Sequence, residues 1–339
     1  MIPARVIGGP LNRRWTDRVP DVGESRLIGD IGGTNARFAI ASDGSYRDLV
    51  HVEVSRFPSL EAAIRDYLAR IPDAQRPRQA ALAVAGPVFG DTVTLTNLGW
   101  TFSIADLQQR LGLTALRVVN DFAATAMAVP HLPPTDCFVV GPARPATEGP
   151  IGIVGPGTGL GVSSLVRSDG KWVLAPGEGG HVTLPAATDE EADIIRHLRR
   201  IHGHVSAERA LSGAGLVNLY GAVCAVAGKP PLKLTPADVT DHAIARSDAE
   251  CVAAFRHFCA MLGTVASDLA LTIGATGGIY IAGGILLRFK EAFAASGFRE
   301  RFESKGRFTP MLRSIPTQLI LEESPALLGL AHAELGPGS

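Results

Sequence analysis

Two short turns in the sequence combine glycines with a hydroxyl residue at the end of an apolar run. The first glycine turn, Gly32–Asn35, lies in Asp30-Ile-Gly-Gly-Thr-Asn35. Glycine lets backbone N–H groups approach a phosphate because no Cβ lies in the way, and the Thr34 hydroxyl can donate a hydrogen bond. The Asp30 carboxylate is suited to hold a hydrated Mg²⁺. An ordinary tight hairpin has the same composition, so this turn alone leaves both interpretations open.

A second glycine turn, Gly157–Gly159, repeats this composition in Gly155-Pro-Gly-Thr-Gly159. Two such turns could bind the β- and γ-phosphates of a nucleotide from both sides. A further pair, Gly283-Gly284, ends an apolar run and could let an adenosine approach the backbone. A glycine that only allows a helix to pack closely is the alternative for that pair.

An acid and an amide follow an apolar run in Val118-Val-Asn-Asp-Phe122, before an alanine-rich segment. A general base that accepts the proton of a hydroxyl group needs a carboxylate at such a strand end, within hydrogen-bond reach of its substrate. Asp121 is the candidate for this role. A carboxylate that only caps the following helix is the competing interpretation.

Three other polar residues have the chemistry to bind vicinal hydroxyl groups. Glu178 and His181 lie in Pro176-Gly-Glu-Gly-Gly-His181, where three glycines predict a flexible backbone. Carboxylates accept two hydrogen bonds and imidazoles both donate and accept, which suits a sugar. A glycine-rich surface loop with incidental charges is the alternative. Glu208, in His204-Val-Ser-Ala-Glu-Arg209, adds a carboxylate, although a solvated helix acid is the commoner reason for such a residue.

The elements around the glycine turns distinguish them from other phosphate loops. Strands are predicted over residues 26–30 and 36–40 around the first turn, and over 151–155 and 161–165 around the second. A Walker loop or a dinucleotide fingerprint would be followed by a helix. The order therefore predicts phosphate-binding β-hairpins in a duplicated architecture that holds phosphate between two lobes.

The remaining periodicity predicts an α/β chain. Apolar residues at helical spacing predict helices after Ser59 and Thr188 and over residues 104–111 and 255–273, the last of them a core helix. Thr188 and Glu191 predict a capping box. Short β-rich runs predict further strands over residues 79–85, 92–96 and 116–120.

Composition argues against several classes of function. Hydrophobic residues make up 46% and charged residues 19% of the chain, which is typical of a folded protein. A length of 339 residues is more than a single core usually supports, so two lobes are expected. The 32 basic and 33 acidic residues nearly cancel, so no overall field attracts nucleic acid or an anionic membrane. Without a long apolar run or a secretory h-region, a cytoplasmic location is expected. The cysteines show no metal-binding spacing and are expected to be buried thiols: Cys137, Cys224, Cys251 and Cys259.

Taken in chain order, these motifs resemble those of the bacterial glucokinase family in the actin-like ATPase superfamily. The resemblance covers most of residues 26–330. The segments that carry it follow the family's order: GDIGGTNARFAI, TNLGWTFSI, VVNDFAATAMAV, GPGTGLGV, PGEGGHVTL, HVSAERALSGAGLVNLY and GGIYIAGGILLRF.

The resemblance implies a two-lobed actin-like (ribonuclease H-like) ATPase fold with a duplicated β-hairpin and α/β core. We expect a loose N-terminal extension over residues 1–24, a small lobe formed by 25–131 with 322–339, and a large lobe over 132–321. Two features depart from the family. The leading residues have no counterpart in a minimal member, and residues 325–332 are less glycine-rich than the family's ending. No cysteine-rich motif follows the Gly-His element, so no structural zinc is expected.

The resemblance also implies an activity, the transfer of the γ-phosphoryl group of MgATP to the 6-hydroxyl of D-glucose for glycolysis, usually by a homodimer. The implied nucleotide-binding residues are Asp30, Gly32, Gly33, Thr34, Asn35, Gly157, Thr158, Gly159, Gly283 and Gly284. The implied sugar-binding residues are Asn97, Asn120, Asp121, Glu178, His181 and Glu208. Asp121 falls on the general base, and Asp30 is expected to hold Mg²⁺ through water.

Other functions stay open at this point. The nearest is a kinase for another hexose, such as fructose, mannose or an N-acylated amino sugar. A sugar sensor or transcriptional regulator of the same fold is a second, although the first 24 residues are too short and too interrupted by proline for a helix-turn-helix. A polyphosphate or nucleotide hydrolase is a third, and it would not need Glu178, His181 and Glu208.

Overall fold

The computed structural model describes residues 25–95 and 98–335. Its strands are β1 (Arg26–Ile31), β2 (Asn35–Ser42), β3 (Ser45–Glu53), β4 (Gln79–Val84), β5 (Thr92–Leu95), β6 (Trp100–Ser103), β7 (Ala115–Asn120), β8 (Cys137–Val139), β9 (Ile151–Pro156), β10 (Leu160–Ser168), β11 (Lys171–Pro176), β12 (Gly278–Ile281) and β13 (Thr317–Ile320). Its helices are α1 (Leu60–Leu68), α2 (Ile104–Leu111), α3 (Asp121–Ala128), α4 (Asp189–His202), α5 (Gly213–Val226), α6 (Pro236–Ala245), α7 (Ala249–Ile273), α8 (Gly284–Leu287), α9 (Lys290–Ala294), α10 (Phe298–Glu303), α11 (Thr309–Ser314) and α12 (Pro325–His332). The predicted extension over residues 1–24 and the predicted sugar contact Asn97 lie outside the described residues.

Residues 25–131 and 324–335 form a compact first unit. Its main sheet has the strand order β3-β2-β1-β4-β7, with β1 antiparallel to β2 and parallel to β4. Because β4 and β7 are also parallel, the carboxyl ends of these three strands lie side by side, with Ile31 opposite Val84 and Val84 opposite Asn120. The segments that follow these strands are therefore brought together at that end of the sheet.

Residues 132–323 form a compact second unit with its own core. Its sheet has the order β11-β10-β9-β12-β13-β8, with β9 antiparallel to β10 and parallel to β12, which is in turn parallel to β13. Buried side chains of the sheet and of α4, α5, α7 and α10 form one hydrophobic cluster. The series β11-β10-β9-β12-β13 repeats the strand directions of β3-β2-β1-β4-β7, so the duplication predicted from the two glycine hairpins is present in the strand topology.

The C-terminal helix α12 packs closely against α3 within the first unit. A Cβ added at Gly329 of α12 would lie 1.9 Å from the carbonyl oxygen of Ala124 in α3. Two helix backbones can approach this closely only where a side chain is missing. Residues 325–332, which depart from the family's glycine-richer ending, thus form the helix that supports α3.

Local predictions were confirmed in part. Ser59 caps α1 through a 3.2 Å bond from the Ala62 N–H, and α2 has the predicted bounds. Thr188 caps α4, but the predicted capping box is wrong in its second half. The buried Glu191 carboxylate accepts the Ala187 N–H at 2.7 Å and pairs with Arg301 at 2.8 Å instead of returning to the cap residue.

Cys224, Cys251 and Cys259 are buried as expected, whereas Cys137 is half-buried. Burial raises the pKa of Cys259 to about 12. Within residues 25–95 and 98–335, no group of three or more His, Cys, Asp or Glu residues is arranged to hold a metal ion. No helix of that same part of the chain is both long enough and apolar enough to cross a membrane.

Arg299 is a buried cation that joins three segments of the second unit. Its side chain is 8% exposed, and its guanidinium donates to three backbone carbonyl oxygens between 2.8 and 3.2 Å. It also donates to the Thr317 hydroxyl at 3.0 Å and pairs with Glu303 at 2.9 Å. Burial lowers the pKa of Arg299, and the charge of Glu303 acts in the opposite direction.

Arg299→Met should lower the free energy of unfolding by about 3 kcal/mol, because it removes the donor to Oε1 of Glu303 and the guanidinium donors to three carbonyl oxygens. Oε2 of Glu303 keeps its bond from Arg313 at 3.2 Å. Denaturant titration measures the change. The matched control is Arg256→Met, since the Arg256 side chain is 59% exposed in its pair with Glu190 and the change should cost less than about 1 kcal/mol. Equal losses in both variants would contradict the prediction.

Candidate active site

The first glycine turn joins β1 to β2 at the carboxyl end of β1. The Gly32 N–H donates to the Asn35 carbonyl oxygen at 3.0 Å, and the Thr34 carbonyl oxygen accepts the Val54 N–H at 3.1 Å. Gly33, Thr34 and Asn35 are exposed. The predicted order of strand, glycine turn and strand is confirmed, and its glycines are accessible to a ligand of the first unit.

Asp30 precedes this turn as the next-to-last residue of β1. Its side chain is 22% exposed, and its Oδ2 lies 3.8 Å from Nη1 of Arg37 on β2. Burial raises the pKa of Asp30, while the positive charge of Arg37 acts to lower it. Mg²⁺ commonly takes one or two carboxylates, several waters and the phosphates of a substrate as ligands. A single carboxylate beside a glycine turn therefore fits a magnesium ion bound largely by water and phosphate.

Asn120, rather than Asp121, provides the cap of α3. Its Oδ1 accepts the N–H groups of Phe122 at 2.8 Å and Ala123 at 3.3 Å, and its Nδ2 donates to the Gly86 carbonyl oxygen at 3.1 Å. Asp121 is the first residue of the helix, is half-buried, and accepts the same Phe122 N–H through Oδ1 at 2.8 Å. The capping role that competed with catalysis for Asp121 is therefore filled by its neighbour.

The loop over residues 85–90 connects these two parts of the first unit, and sequence reasoning missed it. The Ala85 N–H donates to the Ile31 carbonyl oxygen at 3.0 Å, and Gly86 accepts from Asn120. Phe89 is 77% exposed on this loop. The last residues of β1 and β5, the first glycine turn, this loop and Leu98 line a shallow depression: Ile31, Gly32, Gly33, Ala85, Leu95 and Leu98. The signal that could have identified this loop is the Gly-Pro-Val-Phe-Gly sequence at residues 86–90, which follows a buried strand.

The second glycine turn joins β9 to β10 in the second unit. The Gly157 N–H donates to the Gly159 carbonyl oxygen at 2.8 Å, which closes the turn. The Leu160 N–H donates to Oε2 of Glu208 at 2.9 Å. The interpretation of Glu208 as a solvated helix acid is wrong, because the residue is half-buried in a short 3-10 helix, Ala207–Arg209, and its carboxylate binds this turn.

Glu178 and His181 lie in a segment that packs on the same turn. A Cβ added at Gly180 would lie 2.0 Å from the Leu160 carbonyl oxygen, so this glycine allows two backbones to touch. The expectation that the glycines here make the backbone flexible is wrong at this position. His181 Nε2 lies 3.9 Å from Glu178 Oε2, and both side chains are about half exposed, at 58% and 48%.

A β-bridge between Thr183 and Ser206 connects the segment of Glu178 and His181 to that of Glu208. The Ala207 N–H adds a bond of 2.9 Å to the Val182 carbonyl oxygen. The structure thus brings together the predicted Glu178, His181, Glu208 and the second glycine turn within one unit. Two carboxylates, an imidazole and a glycine turn then form one polar cluster.

Gly283 lies beside the residue that precedes the second glycine turn. It has a φ of +113°, and an added Cβ would lie 2.3 Å from the Pro156 carbonyl oxygen. Both its conformation and this contact require glycine. The helix that follows, α8, has only four residues. The predicted adenosine contact at Gly283 and Gly284 is therefore placed next to the predicted phosphate turn, and its role stays a prediction.

A family model for glucokinase matches residues 27–335. The chain belongs to the glucokinase family. The glucokinase of Nitrobacter hamburgensis is 65% identical over 312 residues, which cover 92% of this chain and 98% of the relative. That of Chromobacterium violaceum is 46% identical over 307 residues, which cover 90% of this chain and 88% of the relative.

A crystal structure of a glucokinase from an Antarctic psychrotroph has a TM-score of 0.84 and 38% identity to this chain, with coverage of 91% of this chain and 98% of that one. The glucokinase family and the actin-like α/β fold, both predicted from the ordered motifs, are therefore confirmed. For a glucokinase-family chain, the clustered residues of each unit are the natural candidates for binding ATP and sugar.

Proposed function

We propose that this chain is an ATP-dependent glucokinase, which transfers the γ-phosphoryl group of ATP to the 6-hydroxyl of D-glucose and produces glucose 6-phosphate. The observation that supports this most directly is the cluster of Glu178, His181 and Glu208 on a glycine turn, in a chain of the glucokinase family. A sugar kinase needs groups that bind vicinal hydroxyls and a backbone that binds phosphate.

The sugar is bound by carboxylate, imidazole and amide groups. Glu178 and Glu208 accept hydrogen bonds from hydroxyl groups, and His181 donates or accepts according to its tautomer. Asn120 is proposed as a further sugar contact on the family resemblance, although its amide also caps α3. Asn97 is proposed for the same pocket on the family resemblance.

Asp121 is the general base of the proposed reaction. Its carboxylate accepts the proton of the glucose 6-hydroxyl as the oxygen attacks the γ-phosphorus, and ADP leaves. The observation that favours this role is that Asn120 caps the helix, accepting the N–H groups of both Phe122 and Ala123, so capping does not rest on the Asp121 side chain alone.

The nucleotide is bound by the glycine turns. Residues 32–35 and 157–159 donate to the phosphates, and Gly283 and Gly284 contact the adenosine. Asp30 would hold Mg²⁺ through water, and the ion supplies positive charge that offsets charge on the phosphates. We further propose that the enzyme serves glycolysis in the cytoplasm as a homodimer, on the family resemblance.

Phosphorylation rates over a panel of glucose, mannose, fructose and N-acetylated hexosamines, with ATP and Mg²⁺, test the proposal. We expect glucose to have the highest kcat/KM, because a pocket that hydrogen-bonds each hydroxyl rejects a sugar that leaves one polar group unpaired, by about 10⁴-fold in the strongest cases. A strong preference for another hexose would overturn the assignment of glucose as the substrate.

The same assay separates the other classes of function. ATP hydrolysis that is equally fast without sugar would indicate a hydrolase. Sugar binding without phosphorylation of any hexose would indicate a sensor. Inorganic polyphosphate in place of ATP identifies the phosphoryl donor.

A further inference from the structure

We propose that Glu208 is a positioning residue for ATP as well as a sugar contact, because its carboxylate holds the second glycine turn in shape. This inference rests on the proposed function, in which that turn binds phosphate and Glu208 binds glucose. It adds that a single side chain links the two substrate sites of the second unit.

The first observation is the contact of the carboxylate with the turn. Oε2 of Glu208 accepts the N–H of Leu160, the residue directly after the turn, at 2.9 Å. A Cβ added at Gly159 would lie 2.4 Å from the same oxygen. The carboxylate therefore fills the space in which any other residue at position 159 would place its side chain, and a hydrogen bond to an ionised acceptor is stronger than a neutral one.

The second observation is that the other end of the turn is bound by the same segment. The Gly213 N–H donates to the Gly157 carbonyl oxygen at 2.9 Å. Ser212, which caps α5, donates through its hydroxyl to the Glu208 carbonyl oxygen at 2.9 Å. Residues 208–213 thus hold both ends of the second glycine turn, through the side chain of Glu208 at one end and the start of α5 at the other.

The third observation concerns the two oxygens of the carboxylate. Oε2 is engaged by the turn, whereas Oε1 receives no protein hydrogen bond within residues 25–95 and 98–335. One oxygen is thus committed to the shape of the turn, and the other can accept a sugar hydroxyl. A group that is shared in this way couples the two sites, and the coupling acts equally on both ligands.

Glu178 provides a matched comparison within the same cluster. Its carboxylate lies 3.9 Å from His181 Nε2, and in the described part of the chain it makes no hydrogen bond to the second glycine turn. Loss of Glu178 should therefore weaken sugar binding alone. Loss of Glu208 should weaken both sugar and nucleotide binding.

The test compares Glu208→Ala, Glu208→Gln and Glu178→Ala. Binding of the non-hydrolysable analogue AMPPNP with Mg²⁺ is measured by calorimetry without sugar, and the KM for ATP is measured at saturating glucose. We expect Glu208→Ala to weaken AMPPNP binding by about 10-fold or more, as for the loss of a charge-assisted hydrogen bond. Glu178→Ala should stay within about twofold of the wild type, because it does not touch the turn.

Glu208→Gln separates positioning from a general loss of structure. Its amide oxygen can still accept the Leu160 N–H, so affinity for AMPPNP should recover to within about threefold of the wild type. The KM for glucose should stay raised in this variant. With the amide oxygen bound to Leu160, the amide NH₂ group takes the place of Oε1, and it can neither accept a sugar hydroxyl nor carry a negative charge. If Glu208→Ala does not fold, Glu208→Asp replaces it, since the shorter side chain withdraws the carboxylate from Leu160.

Unchanged AMPPNP affinity and unchanged KM for ATP in Glu208→Ala or Glu208→Asp would overturn the inference. An equal effect of Glu178→Ala on ATP would also overturn it, and so would a Glu208→Gln variant as weak as Glu208→Ala. The proposed function fails separately, through the hexose panel on the wild-type enzyme. A preference for another hexose would leave the comparison of AMPPNP affinities valid.

Discussion

Asp121→Ala should lower the turnover of glucose phosphorylation by about 10²- to 10⁴-fold, because the group that accepts the proton of the 6-hydroxyl is removed. A coupled assay at saturating glucose and ATP measures the change. The KM for glucose should change less than kcat, since the missing interaction matters most in the transition state.

Asp121→Asn is the stricter variant. The amide keeps the size of the side chain and an oxygen for the Phe122 N–H, and Asn120 continues to cap α3. Stability should therefore be retained while turnover is lost. Asp106→Asn is the control, because Asp106 is an exposed acid in the first turn of α2, a helix of the same unit with the same length. Turnover of Asp121→Asn within a few-fold of this control would show that Asp121 is not the base.

Gly180→Ala should reduce both stability and activity. The new Cβ would have to lie 2.0 Å from the Leu160 carbonyl oxygen, so the segment of Glu178 and His181 must move away from the second glycine turn. We expect a loss of about 1 to 3 kcal/mol in the free energy of unfolding from the inserted atom. A displacement of about 1 Å in groups that position a substrate can lower kcat/KM about 100-fold.

Gly177→Ala is the control for that change. It lies in the same glycine-rich segment, but nothing is within 4 Å of the position where its Cβ would be. Its thermal unfolding should stay close to that of the wild type, within about 0.5 kcal/mol. Similar destabilisation by both substitutions would mean that the close contact with Leu160 is not what position 180 requires.

Sequence reasoning succeeded where the signal was local. The order of strand, glycine turn and strand is readable within about 15 residues, and it identified both hairpins because a hairpin needs only its own strands and turn. The helix over residues 104–111 was found for the same reason, since Ser103 caps it through its own hydroxyl and Gly112 ends it in the left-handed conformation.

Contacts between residues far apart in the sequence could not be predicted from local patterns. Leu160 and Glu208 are 48 positions apart, so no local pattern distinguishes this carboxylate from a solvated acid. The capping box at Thr188 failed because Arg301, 110 positions from Glu191, attracts the carboxylate. In Asn120-Asp121, both residues are good caps by composition, and only the geometry of α3 shows which one binds the free N–H groups.

The packing of α12 on α3 has a consequence for how the enzyme is made. Arg117 of β7 also donates to the Glu334 carbonyl oxygen at 2.7 Å, so residues 325–334 contact both the strand that precedes Asp121 and the helix that begins with it. Between these partners in the sequence lie residues 132–323, which form the second unit. A ribosome must therefore translate that entire unit before the layer behind Asp121 can assemble. A nascent polypeptide released before residue 325 would lack this support, which ties the appearance of activity to synthesis of residues 325–334.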